Sequence, residues 1–277
     1  MVVTRGKADR VGAVTFPAAA CVLVVEDDSI NRQVCVAMLD QMGIRFDWAE
    51  NGEDALLLLQ RNRYDLVLMD CEMPFMDGYA ATQEWRRLER ERTSCLPLPI
   101  VALTSHSEAE DRQVCLAAGM DDHLSKPITF QTLQRKLVQW LGLPLAGVVS
   151  EVVANSQASD PDQALDQRRL HELRESLKGT PGGFVHLVER FLQRAESDLL
   201  EISQALSAAE LDQVLHRTHT LKSQSAIFGA MALSGLLKQL ELQARSRVLS
   251  AAIEGMKQVQ KEFARVKMAL ELLLRGE

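Results

Sequence analysis

Aromatic side chains make up only 5% of the 277 residues, yet 47% of the chain is hydrophobic. Leucine and alanine supply the difference, and both favour helix, so a helix-rich protein is expected. Paired or ligand-spaced cysteines are missing. The five cysteines (Cys21, Cys35, Cys71, Cys95 and Cys115) are odd in number, lie in the first half, and form no CxxC or Cys/His pattern. A disulfide framework and a zinc site are thereby excluded, and a reduced, cytoplasmic protein is expected. There is no basic excess either. The formal net charge is −7, which argues against nucleic acid as the main partner. No apolar run reaches the roughly 20 residues that cross a bilayer. The opening stretch, "MVVTRGKADRVGAVTFPAAACVLVV", has early basic residues and small residues before Cys21, as a secretion signal would. Pro17 interrupts it, and "CVLVV" is better used as a buried strand. Neither secretion nor membrane insertion is expected.

The length favours two domains, and charge divides along the same line. Residues 21–142 hold 12 Lys+Arg and 20 Asp+Glu, a net of −8. Residues 166–277 hold 16 and 14, a net of +2. The pattern predicts an N-terminal extension over 1–20, an α/β domain over 21–142, a linker over 143–164 rich in Pro, Gly, Ser, Asn and Asp, and an all-helical domain over 165–277.

In the first domain, strand-like runs ("CVLVV", "RFDWAE", "DLVLMD", "PIVALTS", "DHLSK") alternate with helix-like ones. Ser29 is the expected N-cap of the first helix, Gly43 lies just past its end, and Thr129 caps the last. Five strands alternating with five helices imply right-handed crossovers and a doubly wound parallel sheet covered on both faces. The second domain carries only helical periodicity. "TPGGF" and "FGAM" mark changes of direction, so a helical bundle is expected.

Ligands in such sheets bind at the carboxyl ends of the strands. Glu26 and Asp27 close the first strand and Asp70 closes the third. Brought together, these carboxylates repel one another and want a hard cation, and oxygen ligands suit Mg2+. Thr104 ends the fourth strand and Lys126 follows the fifth, adding a hydroxyl and an ammonium to the same rim. A nucleophile, charge neutralisation and phosphoryl donors are what an aspartyl phosphate needs. Asp28 is read as a surplus, solvated loop residue.

The stretches "VLVVEDDSINR", "DLVLMDCEMPFMDGYAAT", "PIVALTSHSEAEDR" and "CLAAGMDDHLSKPI" resemble the response-regulator receiver domain, particularly receivers attached to hybrid sensor kinases. The resemblance covers Cys21 to Leu141 and implies a flavodoxin-like strand order of 2-1-3-4-5. It implies that Asp70 accepts the phosphoryl group. Glu26, Asp27, Asp70 and the backbone carbonyl of Glu72 would hold Mg2+, and Thr104 and Lys126 would contact the phosphoryl oxygens. It also implies a cis bond before Pro127. Ser105, where the family often has alanine, and His123, where many members have a switching aromatic, depart from the pattern.

The stretch "HRTHTLKSQSAIFGA" places His216 and His219 one helical turn apart. Leu211, Val214, Thr218, Leu221, Ser225 and Phe228 form the apolar stripe of that helix. His219 lies roughly 130° and His216 roughly 170° from its centre, so neither is expected in the core. His219 has Lys222 at i+3 and the small Ser223 and Ala226 on its side, and the ammonium suits a phosphoryl group on the imidazole. His216 has Asp212 at i−4, which would repel one. "HTLKSQSAIFGA" resembles the signature of the histidine phosphotransfer (HPt) domain, His-x-Leu-Lys-Gly-x-Ser-x-x-x-Gly-Ala, with "LLKQLE" and the long terminal helix also fitting. The resemblance covers about Leu165 to Arg275. It places the phospho-accepting histidine at His219 and its lysine partner at Lys222. Ser223 stands where the pattern has glycine.

Together the resemblances imply a two-component phosphorelay protein whose partners are a sensor histidine kinase and a downstream response regulator. No asparagine box or Gly-rich ATP lid is visible, so the phosphoryl group is expected from a partner. The pair fits the C-terminal part of a hybrid sensor kinase as well as a free-standing protein. A rival reading is a phosphorylation-controlled switch whose helical domain only binds partners. An aspartyl-phosphate phosphatase of the haloacid-dehalogenase type would need a second Asp two residues after the nucleophile, where this chain has Glu72.

Overall fold

The computed structural model describes residues 20–91, 96–104, 109–142, 164–178 and 182–275. The expected linker, apart from Ala164, and Ser105 lie outside these residues, as does the N-terminal extension before Ala20. The chain divides into two compact units between Val152 and Val153.

The first unit alternates strand and helix: β1 (Cys21–Val25), α1 (Ser29–Gln41), β2 (Arg45–Ala49), α2 (Gly52–Arg61), β3 (Leu66–Asp70), α3 (Gly78–Glu91), β4 (Ile100–Thr104), α4 (Ala109–Ala118), β5 (Asp122–Ser125) and α5 (Phe130–Trp140). The strands form one parallel sheet in the order β2-β1-β3-β4-β5. Every residue of β3 and β4 is buried. That is what continuous Val/Leu/Ile runs do when helices cover both faces. The doubly wound fold expected from the sequence is therefore the one observed.

Local chemistry sets the element ends. Asp28, not Ser29, is the N-cap of α1, and its side chain accepts from the backbone N–H groups of Ile30 and Asn31. It is 8% exposed, so the reading of Asp28 as a solvated loop residue is corrected. A carboxylate in this position satisfies two of the four orphan amides of a helix start and suits the positive end of its dipole. Thr129 caps α5 as expected, in a reciprocal capping box with Thr132. Gly43 has φ +71 just past the C-cap of α1. The Lys126–Pro127 bond is cis.

Register aligns the strand ends. Val25 lies opposite Met69 in the β1–β3 pair, so Glu26 and Asp70 come next, side by side. Asp70 lies opposite Leu103 and Thr104 opposite Ser125, which brings Thr104 and Lys126 to the same rim. The start of α3 closes under Asp70. A Cβ added at Gly78 would fall 2.0 Å from the Asp70 carbonyl oxygen. Only glycine allows that approach.

The second unit is helical: α6 (Gln167–Ser176), α7 (Gly183–Ser207), α8 (Leu211–Ile227), α9 (Met231–Arg245) and α10 (Leu249–Arg275). Its core is a layer of Leu, Phe and Val, with Phe191 stacked on Phe228 at 4.4 Å between ring centroids. Arg217 of α8 reaches Asp198 of α7 at 3.0 Å and also pairs with Glu201. Gly229, at φ +72, lets the start of α6 sit against the α8–α9 turn, where the Asp166 backbone N–H donates to the Gly229 carbonyl at 2.9 Å. A side chain there would meet the Asp166 carbonyl at 2.7 Å.

Candidate functional site

The first unit gathers the predicted carboxylates. Oxygen atoms of Glu26, Asp27 and Asp70 all lie within 4.8 Å of one another. Lys126 bridges two of them, at 2.7 Å from Glu26 Oε2 and 2.7 Å from Asp70 Oδ2. The Glu72 backbone N–H donates to Asp70 Oδ1 at 3.3 Å. The Lys126 backbone N–H donates to the Thr104 carbonyl at 2.6 Å, which holds the β4 and β5 ends together. Glu26, Asp70 and Thr104 are buried, and Asp27 is partly exposed at the mouth.

One ammonium does not neutralise three carboxylates. Burial, reinforced by Asp70, pushes Glu26 up to about 8. Burial and the neighbouring Glu26 push Asp27 up to about 6. Burial likewise raises Asp70, against the pull of Lys126. Burial disfavours the charge of Lys126, but Asp70 and Glu26 together outweigh it and hold its pKa above the ordinary lysine value. The uncompensated negative charge and the all-oxygen donor set fit a divalent hard cation.

Two further neighbours complete the pocket; both lie in the stretch "VLVVEDDSINR", but the sequence pattern assigns neither a role. Asn31 Nδ2 donates to Glu26 Oε1 at 3.0 Å. Arg32 donates to the backbone carbonyls of Glu26 and Asp27. Both lie in the first turn of α1, shortly after the acidic pair.

In the second unit, His219, Lys222 and Glu241 converge. Glu241 of α9 faces His219 Nδ1 at 3.5 Å and accepts from Lys222 Nζ at 2.6 Å and Arg245 at 2.9 Å. Burial opposes the Glu241 charge. The bonds from His219 and Lys222 more than offset it and hold the carboxyl below the usual range. A carboxylate at Nδ1 favours the imidazole tautomer with its hydrogen there and leaves the Nε2 lone pair for attack.

His216 is exposed to solvent on the outer face, as expected, but His219 is only 9% exposed. The periodicity of α8 shows one apolar stripe. The helix is flanked by both α7 and α9, and the latter brings Glu241 against the ring. Glu241 escapes a reading of α8 alone because it stands on another helix. Its signal is a lone acid set among Leu233, Leu237, Leu240 and Ala244, the buried face of α9.

Residues 22–138 match the family described as the response regulator receiver domain, and residues 186–270 match the Hpt domain. The chain joins a receiver to an Hpt domain. The Pseudomonas protegens sensor histidine kinase GacS is 32% identical over 227 residues, covering 79% of this chain and 24% of the relative. The Salmonella typhimurium sensor histidine kinase RcsC is 43% identical over 116 residues, covering 42% of this chain and 12% of the relative. The chain thus spans a quarter or less of the length of these kinases. A receiver domain of a Pseudomonas aeruginosa sensor histidine kinase, crystallised with magnesium in its active-site cleft, is 43% identical. That match covers 44% of this chain and 98% of the other, with a TM-score of 0.40. Among the described residues of the receiver–Hpt chain, no helix is long and apolar enough to cross a membrane.

Proposed function

We propose that this two-component phosphorelay protein takes a phosphoryl group on Asp70 and carries one on His219, to or from the receivers of partner proteins. The observation that carries the reading is the receiver rim, where Asp70, Glu26, Asp27 and Lys126 converge.

In the receiver, an Asp70 carboxylate oxygen attacks phosphorus in line with the donor. The new O–P bond forms as the donor's P–N or P–O bond breaks, and the leaving group takes that bond's electron pair. Lys126 already touches Asp70 Oδ2, so its ammonium must move from the carboxylate to an oxygen of the arriving group. The Thr104 hydroxyl is the second donor on that rim. Mg2+, held by Glu26, Asp27, Asp70 and the Glu72 carbonyl, would supply charge neutralisation in the transition state. In the Hpt domain, Nε2 of His219 is the nucleophile. Glu241 holds the Nδ1 hydrogen and stabilises the imidazolium charge that develops as the N–P bond forms. Lys222 and Arg245 keep that carboxylate ionised. The partners are a sensor histidine kinase upstream and a response regulator downstream, and the functional domains run over 21–142 and 165–277.

Incubation of the His219→Gln chain, with and without Asp70→Asn, with a labelled acyl phosphate tests the receiver half. Label is expected only with Mg2+, is expected to be lost in alkali, and is expected to be absent from Asp70→Asn. Label that persists in Asp70→Asn, or without any divalent cation, contradicts the assignment.

A further inference from the structure

We propose that Arg32 is a positioning residue for the carboxylate pocket, clamping the two backbone carbonyls that come after β1 and so fixing Glu26 and Asp27 for a divalent cation. The inference rests on the Mg2+ reading above. One Arg32 nitrogen, Nη1, donates to Glu26 O at 2.7 Å and to Asp27 O at 3.2 Å. The other, Nη2, pairs with Glu50 at 3.0 Å. The guanidinium lies over the Trp48 ring, 4.3 Å from its centroid, and the side chain is 12% exposed. Both terminal nitrogens and a face of this cation are therefore used.

The location needs a reason. Arg32 sits in the first turn of α1, where the helix dipole disfavours a cation. Its partners supply the reason. Trp48 lies on β2, the strand beside β1, and Glu50 comes just after that strand. The Glu26 backbone N–H already donates to the Ala49 carbonyl at 3.1 Å. Arg32 holds the carbonyls of the same loop, so the β1–α1 connection is tied to the end of β2 twice. Glu26 has further holds in Asn31 and Lys126. Asp27 lies at the mouth, and its backbone carbonyl is gripped by Arg32. A planar guanidinium serves two carbonyls, a carboxylate and a ring together, whereas an ammonium does not.

Charge and geometry predict opposite signs. By Coulomb's law alone, removing a cation beside the pocket strengthens binding of a divalent cation. Loss of positioning weakens it, and outer-shell partners of metal sites typically contribute 10–100-fold in affinity. The test is calorimetric titration of the full chain with Mg2+, comparing wild type, Arg32→Lys and Arg32→Ala. Both variants are expected to bind about tenfold more weakly or worse, with the lysine variant failing although its charge is kept. Tryptophan fluorescence checks that each variant is folded. If either is not, Trp48→Leu replaces it; that variant changes no charge but removes the ring that the guanidinium lies over, and weaker binding is again expected. Unchanged affinity in Arg32→Lys with equal or tighter binding in Arg32→Ala overturns the proposal, as does unchanged affinity in Trp48→Leu where it is used. Wild type that takes up no Mg2+ overturns the reading beneath it and the proposal with it.

Discussion

Replacing Glu241 with alanine removes the acceptor that organises the Hpt site. Lys222 Nζ loses a carboxylate at 2.6 Å, and its side chain is only 7% exposed. Stranding one member of a buried pair typically costs about 3–5 kcal/mol. Arg245 is half exposed and regains water, so its pair adds at most about 1 kcal/mol. Lys222 has a flexible stem, which favours the lower end, so a loss of about 3 kcal/mol is expected for Glu241→Ala. Glu241→Gln keeps an oxygen for Lys222 and is expected to lose about 1–2 kcal/mol. Urea unfolding of the full chain separates the two units spectroscopically. All three tryptophans, Trp48, Trp85 and Trp140, lie in the receiver. Tryptophan fluorescence therefore tracks the receiver, while far-UV circular dichroism also tracks the helices of the Hpt domain. The Glu241 variants should shift the helical transition and leave the tryptophan transition in place. A Glu241→Ala helical transition within about 0.5 kcal/mol of wild type refutes the reasoning, because changes of that size are ordinary for surface substitutions.

Gly78→Ala drives a methyl into the Asp70 carbonyl oxygen. Backbone must move, so a loss of about 3 kcal/mol or more is expected in the tryptophan-monitored transition; a neutral effect contradicts the close approach. The depressed pKa of Glu241 makes the Hpt domain acid-sensitive. A carboxyl whose folded pKa is lowered adds stability above its unfolded value and loses it as pH falls through the folded one. Helical stability should therefore decline from about pH 5 downwards, with a shallower decline in Glu241→Gln; equal slopes contradict the pairing. Saturating Mg2+ should stabilise the receiver by about 2.7 kcal/mol at a hundredfold excess over Kd. Asp27→Asn should lose most of that gain, and a full gain in that variant would remove Asp27 from the ligand set.

The receiver rim is legible in the sequence because a parallel sheet aligns its strand ends. Once "CVLVV" and "LVLMD" are strands, Glu26 and Asp70 must meet if the strands are neighbours, and register makes them so. The loops beyond the strand ends are harder to read. Asp28 is the last of three consecutive acids, and only the loop path decides which of them turns back to cap α1. Arg32 closes the stretch "VLVVEDDSINR", but its role is hidden in the sequence, because its partners are backbone carbonyls and a ring on another strand. In the bundle, the periodicity of α8 singles out His219 through its neighbours on the helix. The same periodicity is blind to α9, so it underestimates the burial of His219 and misses Glu241. Single-helix patterns report the face a helix buries first, and side-chain chemistry between helices needs the packing.

The most direct test of the relay asks whether His219 accepts a phosphoryl group. The full chain is incubated with a labelled phospho-receiver, and label is measured after alkali treatment in wild type, Asp70→Asn, His216→Gln and His219→Gln. Phosphohistidine survives alkali and aspartyl phosphate does not. The account predicts alkali-stable label in wild type, Asp70→Asn and His216→Gln, and none in His219→Gln. Alkali-stable label that remains in His219→Gln contradicts the assignment of His219, and label that never forms in wild type contradicts the relay and leaves the helical domain as a binding module.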